Sequence, residues 1–526
     1  MNLERNVIKN INIIDFMEKC NIHYAYDSCL RSIPSLYDGL KPSQRKILYT
    51  LFKRGKESYN FQKVTSLSGD VTKIGRYLHG EASLEETIFG MMRYWAGSNN
   101  IPLLKSMGTI GSRLDMGTMH SQSRYVFTAL NEISRFIFIK DDDEVLEYVK
   151  EEGEYTEPNY YVPIVPMVLI NGGLGIGTGY STDTPQHNPF DCINYIKDIL
   201  TKDCNKNGIK TLDSDVKIRL YFPNCDIDLR KEDGEWVSYG KQKFILPEKS
   251  KDRFWNTTCI NKNKPYDPLS YNPCFISITQ VPIYFNYHNA IQNIKKSISE
   301  NVVEKYKNII DLRDGTIYGS LTEKEKVNLI LKINNDKKDC KLGNIIPLTE
   351  TIYYTNVHLI DKNGRVQKFE SVYDIMKLFI IERYNLYVKR KNYIINKMKE
   401  SILIDKNRAR FIKAKVMGIK CIGLDNKEHE QYKLDTRNMK INVLEKFLET
   451  NKFDKIKNSY SYIIDYVTTR HETFEEYQKI MNTYNTKVDE LLKYIQTPIN
   501  VIWLNELNNL EIELKKYYSD MNYELE

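Results

Sequence analysis

The amino-acid sequence predicts an α+β multidomain protein, from its length and from the distribution of residue types along the chain. Its 526 residues are enough for about three domains of ~150 residues each. Residues 1–190 mix helical runs with short strands punctuated by glycine, and residues 191–370 are rich in β-branched and aromatic side chains. Residues 371–526 read as largely helical, with almost no proline or glycine. We therefore expect domain boundaries near residues 190 and 370.

The composition excludes several classes of protein. Hydrophobic residues make up 41% and charged residues 28% of the chain, which supports a packed core rather than disorder. No run reaches the ~18 apolar residues of a membrane span, and the N-terminal sequence lacks the apolar segment of a signal peptide. The nine cysteines are scattered without CxxC pairs, which argues against a disulfide framework or a zinc module and for a reducing compartment.

The positive charge of the chain is concentrated in one segment. Residues 31–80 contain ten Lys or Arg and three acidic residues, an excess equal to the net charge of +7 of the whole chain. A compact basic region on an otherwise balanced protein indicates a polyanionic partner. A solvated basic face is the alternative that charge alone leaves open.

Two helices are predicted within and beside this basic segment. Pro42 suits the first turn of a helix whose apolar face would hold Ile47 and Leu51. Ser83 and Glu86 have the spacing of a capping box and predict the start of a second helix. Two short helices, basic residues and following short strands are typical of a winged helix-turn-helix that binds DNA.

The middle domain contains three segments with the composition of strands. They are VKIRLYF (216–222), CFISITQVPIYF (274–285) and TIYYTNVHLID (351–361). A KNG turn follows the third segment at residues 362–364. We expect a strand-rich domain here.

Two apolar repeats with spacings of three and four residues dominate the C-terminal part. The first runs from Ile381 to Val416 with nine of eleven positions apolar, and the second runs from Phe474 to Ile495 with seven of seven apolar. Such seams predict an antiparallel coiled coil, and the stretch between them would form a small globular tip. Two ordinary amphipathic helices in a bundle remain the alternative.

Several candidate sites fail on spacing or composition. The glycines from Gly175 to Gly179 lack the spacing and the lysine of a nucleotide-binding loop, so they indicate close backbone approach or a tight turn. The consecutive acids at 141–144 have no spaced partners and predict a solvated turn rather than a metal site. Composition cannot single out Tyr125 among 38 tyrosines, and an isolated histidine such as His79 is more often structural than catalytic.

Eight segments, taken together and in their order, give a stronger signal. They are RSIPSLYDGLKPSQRKILYTLFKR (31–54), YLHGEASLEETI (77–88), GSNNIPLLKSMGTIGSR (97–113), SRYVFTAL (123–130), EPNYYVPIVPMVLINGGLGIGTGYS (157–181), ITQVP (278–282), KNRARFI (406–412) and SYIID (461–465). This collinear series resembles the DNA breakage-reunion region of type IIA DNA topoisomerases. Its amino-acid sequence is closer to the eukaryotic and viral branch than to the A-type chain of gyrase. The resemblance implies a winged-helix domain, a tower domain, and a long antiparallel coiled coil with a helical exit-gate tip.

The resemblance also implies roles for individual residues. Tyr125 would attack a DNA phosphodiester and become linked to the 5′ end, Arg124 would stabilise charge on the scissile phosphate, and His79 would belong to the same catalytic set. Ile176 would enter a base step as an apolar wedge. The residues that would contact DNA are Arg31, Lys41, Arg45, Tyr77 and Ile176.

One geometric condition and three departures accompany these roles. Adjacent residues of a regular strand point to opposite faces, so Arg124 and Tyr125 can face one phosphate only from a loop or a distorted strand. The family's paired histidines are Leu78–His79 here, its Gly-Gln/Asn-aromatic-Gly is residues 108–111 (GTIG), and the residue before the arginine is Ser123. None of these changes removes the nucleophile.

The sequence shows no acidic motif of the toprim type and no ATP-binding motif. The resemblance therefore implies that a partner toprim domain holds Mg²⁺ and a partner ATPase domain binds ATP, either in a B-type subunit or in a missing region of a longer chain, with no metal ligand in this chain. We expect a homodimer through the C-terminal gate that acts on double-stranded DNA and not on a membrane. It would work in the nucleus, or in the cytoplasm of a bacterial or virus-infected cell.

Two functions are consistent with the sequence. The first is an ATP-hydrolysing type IIA DNA topoisomerase subunit that cuts one duplex, passes a second and reseals the first. The second is a non-catalytic DNA clamp in which a basic winged helix binds DNA and the coiled coils only dimerise. The Arg124–Tyr125 pair in its matching context favours the enzyme.

Overall fold

The structure is a computed structural model that describes residues 12–521, apart from residues 152, 203–208, 210, 224, 226–227, 247–251, 256–273, 301–305, 307, 320–324, 335–345, 347, 438 and 468–470. The chain forms two compact units. The first contains the described residues up to 202, from 209 to 383 and from 503 onward, and the second contains residues 384–502. Within the described residues, no helix combines the length and apolarity needed to cross a membrane.

The N-terminal part of the first unit mixes short helices and strands. Its helices are α1 (Ile13–Phe16), α2 (Ile22–Ser32), α3 (Pro42–Arg54), α4 (Val64–Ile74), α5 (Glu81–Met92), α6 (Ser134–Ile137), α7 (Met167–Ile170) and α8 (Pro189–Lys202). Its strands are β1 (Gln62–Lys63), β2 (Leu104–Met107), β3 (Phe127–Leu130), β4 (Tyr148–Glu151), β5 (Glu154–Pro158), β6 (Gly173–Ile176) and β7 (Ser181–Thr184). All the strand pairs among these are antiparallel: β3 lies between β1 and β2, β4 pairs with β5, and β6 pairs with β7.

The helix predicted at Pro42 is confirmed, and the start predicted for the next apolar helix is wrong. Helix α3 begins at Pro42, and Ile47 and Leu51 on its predicted apolar face are fully buried. Helix α5 begins at Glu81 after an extended Gly80, so Ser83 lies inside the helix and caps nothing. The predicted capping box therefore does not form.

The middle part of the first unit is strand-rich, as predicted. Its elements are β8 (Asp228–Glu232), β9 (Glu235–Tyr239), β10 (Lys241–Ile245), β11 (Cys274–Gln280), α9 (Tyr287–Glu300), β12 (Ile309–Asp314), β13 (Leu329–Ile333), β14 (Thr349–Ile352), β15 (Val357–Ile360) and β16 (Val366–Phe369). The strands form antiparallel sheets in the orders β10-β11-β13-β12 and β14-β9-β8, with β15 paired to β16. Apolar side chains of β11, β13 and α9 share one core, which includes Ile276, Leu331 and Ile294.

The three strand predictions for this region have different outcomes. The segment 351–361 contains the end of β14 and all of β15, and the KNG turn joins β15 to β16. The segment 274–285 is a strand only as far as Gln280, because Pro282 lacks the N–H that a ladder requires. The segment 216–222 does not form a full strand: its pairing is limited to one antiparallel bridge between Leu220 and His187, just before α8 begins at Pro189.

The C-terminal part is mainly helical. Its elements are α10 (Val372–Val416), β17 (Ile419–Ile422), β18 (Glu428–Tyr432), α11 (Ile441–Thr450), α12 (Ser461–Ile464), α13 (Phe474–Gln496) and α14 (Ile499–Asp520). In the second unit, the end of α10 packs into a core with residues that follow it, including Phe411, Leu448 and Ile463. The stretch between the two predicted seams thus has a hydrophobic core of its own.

Helices α10 and α13 contact each other with opposite chain directions. Lys391 Nζ donates to the carbonyl of Ile495 at 3.0 Å, and, further toward the C-terminal end of α10, Asp405 Oδ2 accepts from Lys487 Nζ at 2.6 Å. The residue numbers rise along α10 and fall along α13. The predicted seams are only partly covered, since Val388 is 38% and Ile495 is 42% exposed. The apolar spacing therefore locates both helices correctly, and polar contacts supply part of their pairing.

The acidic run at 141–144 is a turn that is only partly solvated: the prediction from sequence holds for Asp141 and Glu144, which are exposed, and is wrong for Asp142. Residues Lys140–Glu144 form a turn of 3₁₀-helix, and Asp142 is buried within it. Asp142 Oδ2 accepts a hydrogen bond from Arg383 Nη1 at 2.6 Å, and Asp143 Oδ2 accepts one from Arg135 Nη2 at 3.0 Å. These carboxylates are parts of ion pairs that stabilise the first unit.

Candidate active site

Tyr125 ends a single turn of 3₁₀-helix, Ser123–Tyr125, directly before strand β3. Its amide donates to the carbonyl of Gln122 at 2.9 Å, and the hydroxyl of Ser123 accepts from Thr65 of α4 at 3.1 Å. The side chain of Tyr125 is 64% exposed. The turn therefore presents the phenol to solvent, and a side-chain hydrogen bond ties the turn to α4.

Arg124 lies close to the same phenol. Its guanidinium carbon is 5.1 Å from the centroid of the Tyr125 ring. The sequence requires a loop or a distorted strand for both side chains to act on one phosphate, and the 3₁₀ turn provides such a backbone. A guanidinium beside a phenol is suited to charge stabilisation when the phenol oxygen attacks an anionic phosphodiester.

Two glycines shape the loop that precedes the turn. Gly108 and Gly111 have φ values of +114° and +84°, which lie in the region that favours glycine. A Cβ atom at Gly111 would lie 2.6 Å from the Cα atom of Gly117. The departure from the family pattern at Thr109 and Ile110 thus leaves the two conformationally demanding positions as glycine.

His120 anchors this loop to α5 and was not identified from the sequence. Its Nε2 atom is 2.9 Å from Glu86 Oε1, and its ring centroid is 4.2 Å from that of Phe89. Glu86 and His120 are far apart in the chain, and no short motif links them. The glutamate that suggested a capping box has this tertiary contact instead.

Tyr77 and His79 lie in the connection between α4 and α5. His79 is exposed, and its ring contacts that of Tyr77 edge to face with the centroids 5.5 Å apart. Tyr77 is only 7% exposed, so most of its side chain packs inside the protein. His79 is thus the one of the two that offers a large surface to a ligand.

The predicted DNA contacts of Arg31 and Lys41 are compatible with their positions. Arg31 is exposed in the last turn of α2. Lys41 is half-buried at the start of α3, and burial lowers the pKa of its ammonium group. Both side chains have a surface from which a cation could reach a phosphate.

Arg45 requires a correction, because its guanidinium is buried. Arg45 Nε donates to Asp38 Oδ2 at 2.7 Å, and Arg45 Nη2 donates to Asp38 Oδ1 at 3.1 Å. The residue is 6% exposed, and Asp38 also accepts from the amide of Tyr161 at 2.9 Å. Arg45 therefore stabilises the turn before α3, and we withdraw it from the predicted DNA contacts.

Two other residues of the basic segment are also engaged in ion pairs. Lys46 Nζ lies 2.8 Å from Glu157 Oε2, and Arg54 Nη1 lies 2.6 Å from Asp70 Oδ2. The exposed basic residues of this segment are Arg31, Lys53, Lys56, Lys63 and Lys73. The basic surface is thus smaller than the charge of the segment suggests.

Ile176 ends strand β6 at the tip of the β6–β7 hairpin, opposite Ser181. Its side chain is 79% exposed, which rules out a place in the hydrophobic core. Leu174 on the same strand is 67% exposed. The hairpin thus presents apolar side chains to solvent, an arrangement suited to insertion between bases.

The part of the chain that the structure describes offers no candidate site for a metal ion. Among the residues that the structure describes, no group of three or more His, Cys, Asp or Glu side chains is arranged to hold a metal ion. The residues that the structure describes therefore do not fit Mg²⁺.

Comparison with known proteins gives the family. A sequence model of the A-type chains of DNA gyrase and topoisomerase IV matches residues 31–508. The chain belongs to this family. It is similar to the mitochondrial DNA topoisomerase 2 of Dictyostelium discoideum, with 34% identity over 401 residues, 75% of this chain and 27% of the relative. It is also similar to the DNA topoisomerase 2 of Acanthamoeba polyphaga mimivirus, with 30% identity over 560 residues, 95% of this chain and 40% of the relative.

A solved structure extends the family assignment to the fold. The chain is similar to the DNA-binding, cleavage and re-ligation domain of Plasmodium falciparum topoisomerase II, with a TM-score of 0.75 and 27% identity over 97% of this chain and 65% of that one. The resemblance to type IIA topoisomerases is thus confirmed, and a eukaryotic and a viral relative match the predicted branch. The chain spans between about a quarter and two fifths of the length of these two curated relatives.

Proposed function

We propose that the chain is the DNA breakage-reunion component of an ATP-hydrolysing type IIA DNA topoisomerase. The observation that carries this proposal is the exposed phenol of Tyr125, with the Arg124 guanidinium carbon 5.1 Å from its ring, on a turn anchored to a sheet. The family assignment supports it, because the chain matches most of a cleavage and re-ligation domain. The reaction changes DNA topology by relaxation or decatenation.

The chemical step is a transfer of the phosphodiester between two oxygen atoms. The Tyr125 oxygen forms a bond to phosphorus, the bond from phosphorus to the 3′ oxygen breaks, and the phosphate at the 5′ end stays on the tyrosine. The phenol loses its proton and the departing 3′ oxygen gains one. Since the new phosphodiester replaces the old one, the reverse step reseals the strand without ATP. Arg124 stabilises the negative charge that grows on the phosphate.

The remaining predicted residues hold and bend the DNA. Arg31 and Lys41 bind phosphates, which fixes the register of the duplex without recognising bases. His79 and Tyr77 lie along the cleaved strand, and His79 offers the larger surface to it. Ile176 enters a base step and helps to kink the duplex before it is cut.

Metal, nucleotide and subunit contacts complete the enzyme. We propose that Mg²⁺ and ATP are bound by a toprim domain and an ATPase domain of a B-type partner or of a longer chain, since the relatives extend well beyond the matched region. Two copies would meet at a C-terminal gate. In this proposal α10 and α13 are the coiled coil, the core around Phe411 is the exit-gate tip, residues 191–370 are the tower, and residues 1–190 are the winged-helix domain. The enzyme would act with DNA in a reducing compartment, in the nucleus or in the cytoplasm of a bacterial or virus-infected cell.

A cleavage assay tests the proposal against the non-catalytic clamp. Supercoiled plasmid is incubated with the chain, a B-type subunit, Mg²⁺ and ATP, and the reaction is stopped with denaturant. We expect linear DNA with protein on both 5′ ends, none with the Tyr125→Phe chain, and little cleavage by the chain alone. Binding without cleavage in the complete mixture, while the same B-type subunit works with its own A-type partner, would favour the clamp.

A further inference from the structure

The tip of the β6–β7 hairpin is held by two side chains of α2. Ser28 Oγ accepts a hydrogen bond from the amide of Thr178 at 3.2 Å, and Cys29 Sγ donates to the carbonyl of the same residue at 3.4 Å. Ser28 and Cys29 are the buried residues of α2. Both polar groups of the Thr178 backbone, two residues after Ile176, are therefore fixed to one helix.

Glycines of the hairpin bring its backbone against the same helix. A Cβ atom at Gly175 would lie 2.2 Å from the carbonyl oxygen of Ser32, and one at Gly177 would lie 3.1 Å from both Cα and Sγ of Cys29. A side chain at either position would push the hairpin away from α2. The glycine-rich sequence around Ile176 thus serves contact with α2 within the protein.

The opposite edge of the hairpin is also fixed. The amide of Asp183 donates to the carbonyl of Asn356 at 2.8 Å, and the Asn356 side chain donates to Ser181 Oγ at 2.9 Å. The amide of His358 donates to Thr182 Oγ1 at 3.1 Å. Strand β7 is thus anchored to the β15 region while the tip beyond β6 is anchored to α2.

We propose that Ser28 and Cys29 are positioning residues that set the angle and stiffness of the hairpin, so that Ile176 bends DNA rather than yielding to it. This rests on the proposed function, in which Ile176 enters a base step. Opening a base step costs a few kcal/mol, and a two-stranded hairpin with an exposed tip would bend before the duplex does unless something braces it. The contacts to Thr178 supply that support two residues from Ile176, the side chain that would enter the base step.

The brace also connects two functions on one helix. Arg31 lies in the last turn of α2, two residues after Cys29, and is exposed. A phosphate bound by Arg31 would therefore fix the same helix that holds the tip. The phosphate bound by Arg31 and the base step entered by Ile176 would then be a fixed distance apart along the duplex.

Energy transfer between dyes at the two ends of a short duplex tests this proposal on the full chain. The variants are Ser28→Ala, Cys29→Ala, the double variant, Cys29→Ser, Ile176→Ala, and Cys192→Ala as a control for a buried cysteine in a different helix, α8. Each is measured for the bent fraction, the DNA affinity and the melting temperature. Ser28→Ala removes only a hydroxyl group, so its melting temperature should change little, whereas Cys29→Ala also removes packing from a small core with Ile33 and Ile360 and should melt lower.

We expect the double variant to lower the ratio of bent to unbent duplex by about two- to tenfold per lost contact, because a net hydrogen bond changes an equilibrium by about that factor. Cys29→Ser keeps a donor and should bend DNA like the wild type, as should Cys192→Ala. Hydrogen exchange of the peptide that contains Thr178 should speed up in Ser28→Ala, and this measurement decides the matter if the double variant fails to fold.

Two results would overturn the proposal in distinguishable ways. Normal bending and unchanged hairpin exchange in Ser28→Ala and the double variant, with weak bending in Ile176→Ala, would show that the wedge works without the brace. Normal bending in Ile176→Ala would refute the wedge itself and the brace with it. If the wild-type chain forms no tyrosine-linked cleavage products, the proposed function is refuted instead.

Discussion

The turn that carries Tyr125 and the hairpin that carries Ile176 both present an exposed side chain, and they are supported in different ways. The turn leads directly into β3, the middle strand of a three-stranded sheet. The hairpin is a two-stranded ladder whose tip is held by side chains of α2. The turn adjoins the middle strand of a sheet, whereas the tip of the hairpin depends on a few contacts with side chains of α2.

This difference separates two tasks. In the proposed reaction, bond formation at phosphorus needs the Tyr125 oxygen within a narrow range of positions, which a turn next to the central strand of a sheet can supply. In the same proposal, bending the DNA needs a hairpin stiff enough to meet the few kcal/mol that unstacking a base step costs. Local contacts can set this stiffness. We expect substitutions at the turn to change cleavage and leave bending intact, and substitutions at the hairpin to act first on bending.

The largest effect is expected for Tyr125→Phe. The change removes the attacking oxygen from an exposed side chain, so covalent adducts should fall by about a thousandfold or more while DNA binding and bending stay close to normal. Denaturant-trapped adducts in the presence of the B-type partner measure the first quantity, and energy transfer measures the second. A phenylalanine variant that still forms adducts would assign the nucleophile to another residue.

Arg124→Ala should slow cleavage by about 10²- to 10³-fold, because the guanidinium acts on charge that develops during the reaction. The dissociation constant for DNA should change much less. Single-turnover cleavage and equilibrium binding, measured on the same duplex, separate the two effects. Arg124→Lys serves as the matched control and should recover part of the rate. A loss of affinity that accounts for the whole loss of rate would make Arg124 an anchor only.

Arg45 and Arg31 should respond in opposite ways, although both are arginines of the same basic segment. Arg45→Ala leaves Asp38 buried without its cation and should lower the free energy of unfolding by about 3–5 kcal/mol. Arg31→Ala should leave unfolding nearly unchanged and reduce the salt dependence of DNA binding by a slope of about 1. Denaturant titration and binding at several salt concentrations give both numbers. Equal stability of the two variants would contradict the buried ion pair.

The smallest global effect is expected for Ile176→Ala. Its side chain is 79% exposed, so the melting temperature should stay near that of the wild type while the bent fraction of DNA falls several-fold. Leu169→Ala is the matched control from the core and should cost about 2–5 kcal/mol of stability. A large loss of stability in Ile176→Ala would place this side chain in the core and end the wedge hypothesis.

The sequence was sufficient where local patterns decide the structure. The apolar spacing located α3, α10 and α13, because a helix with one buried face repeats every three to four residues. The requirement for a non-strand backbone at Arg124 and Tyr125 followed from side-chain geometry alone, and the 3₁₀ turn meets it. The family-specific residues Tyr125 and Ile176 came from the resemblance, since composition does not distinguish them.

The sequence was insufficient where a distant partner decides the outcome. Arg45 looked like a surface cation, and its burial depends on Asp38 and on residues near Tyr161 that fold against the same turn. Glu86 looked like a helix cap and instead faces His120. Ser28 and Cys29 carried no signal, because their role depends on a hairpin about 150 residues later in the chain.

In the proposed reaction, Tyr125 forms a bond to the 5′ phosphate of cleaved DNA. The most direct test of this step is to trap the cleavage complex with the B-type partner, Mg²⁺ and DNA, digest protein and DNA, and locate the remaining nucleotide by mass spectrometry. We expect a nucleotide joined through its 5′ phosphate to Tyr125 in the peptide that contains SRYVFTAL. A nucleotide on another residue, or one joined through its 3′ phosphate, would contradict it.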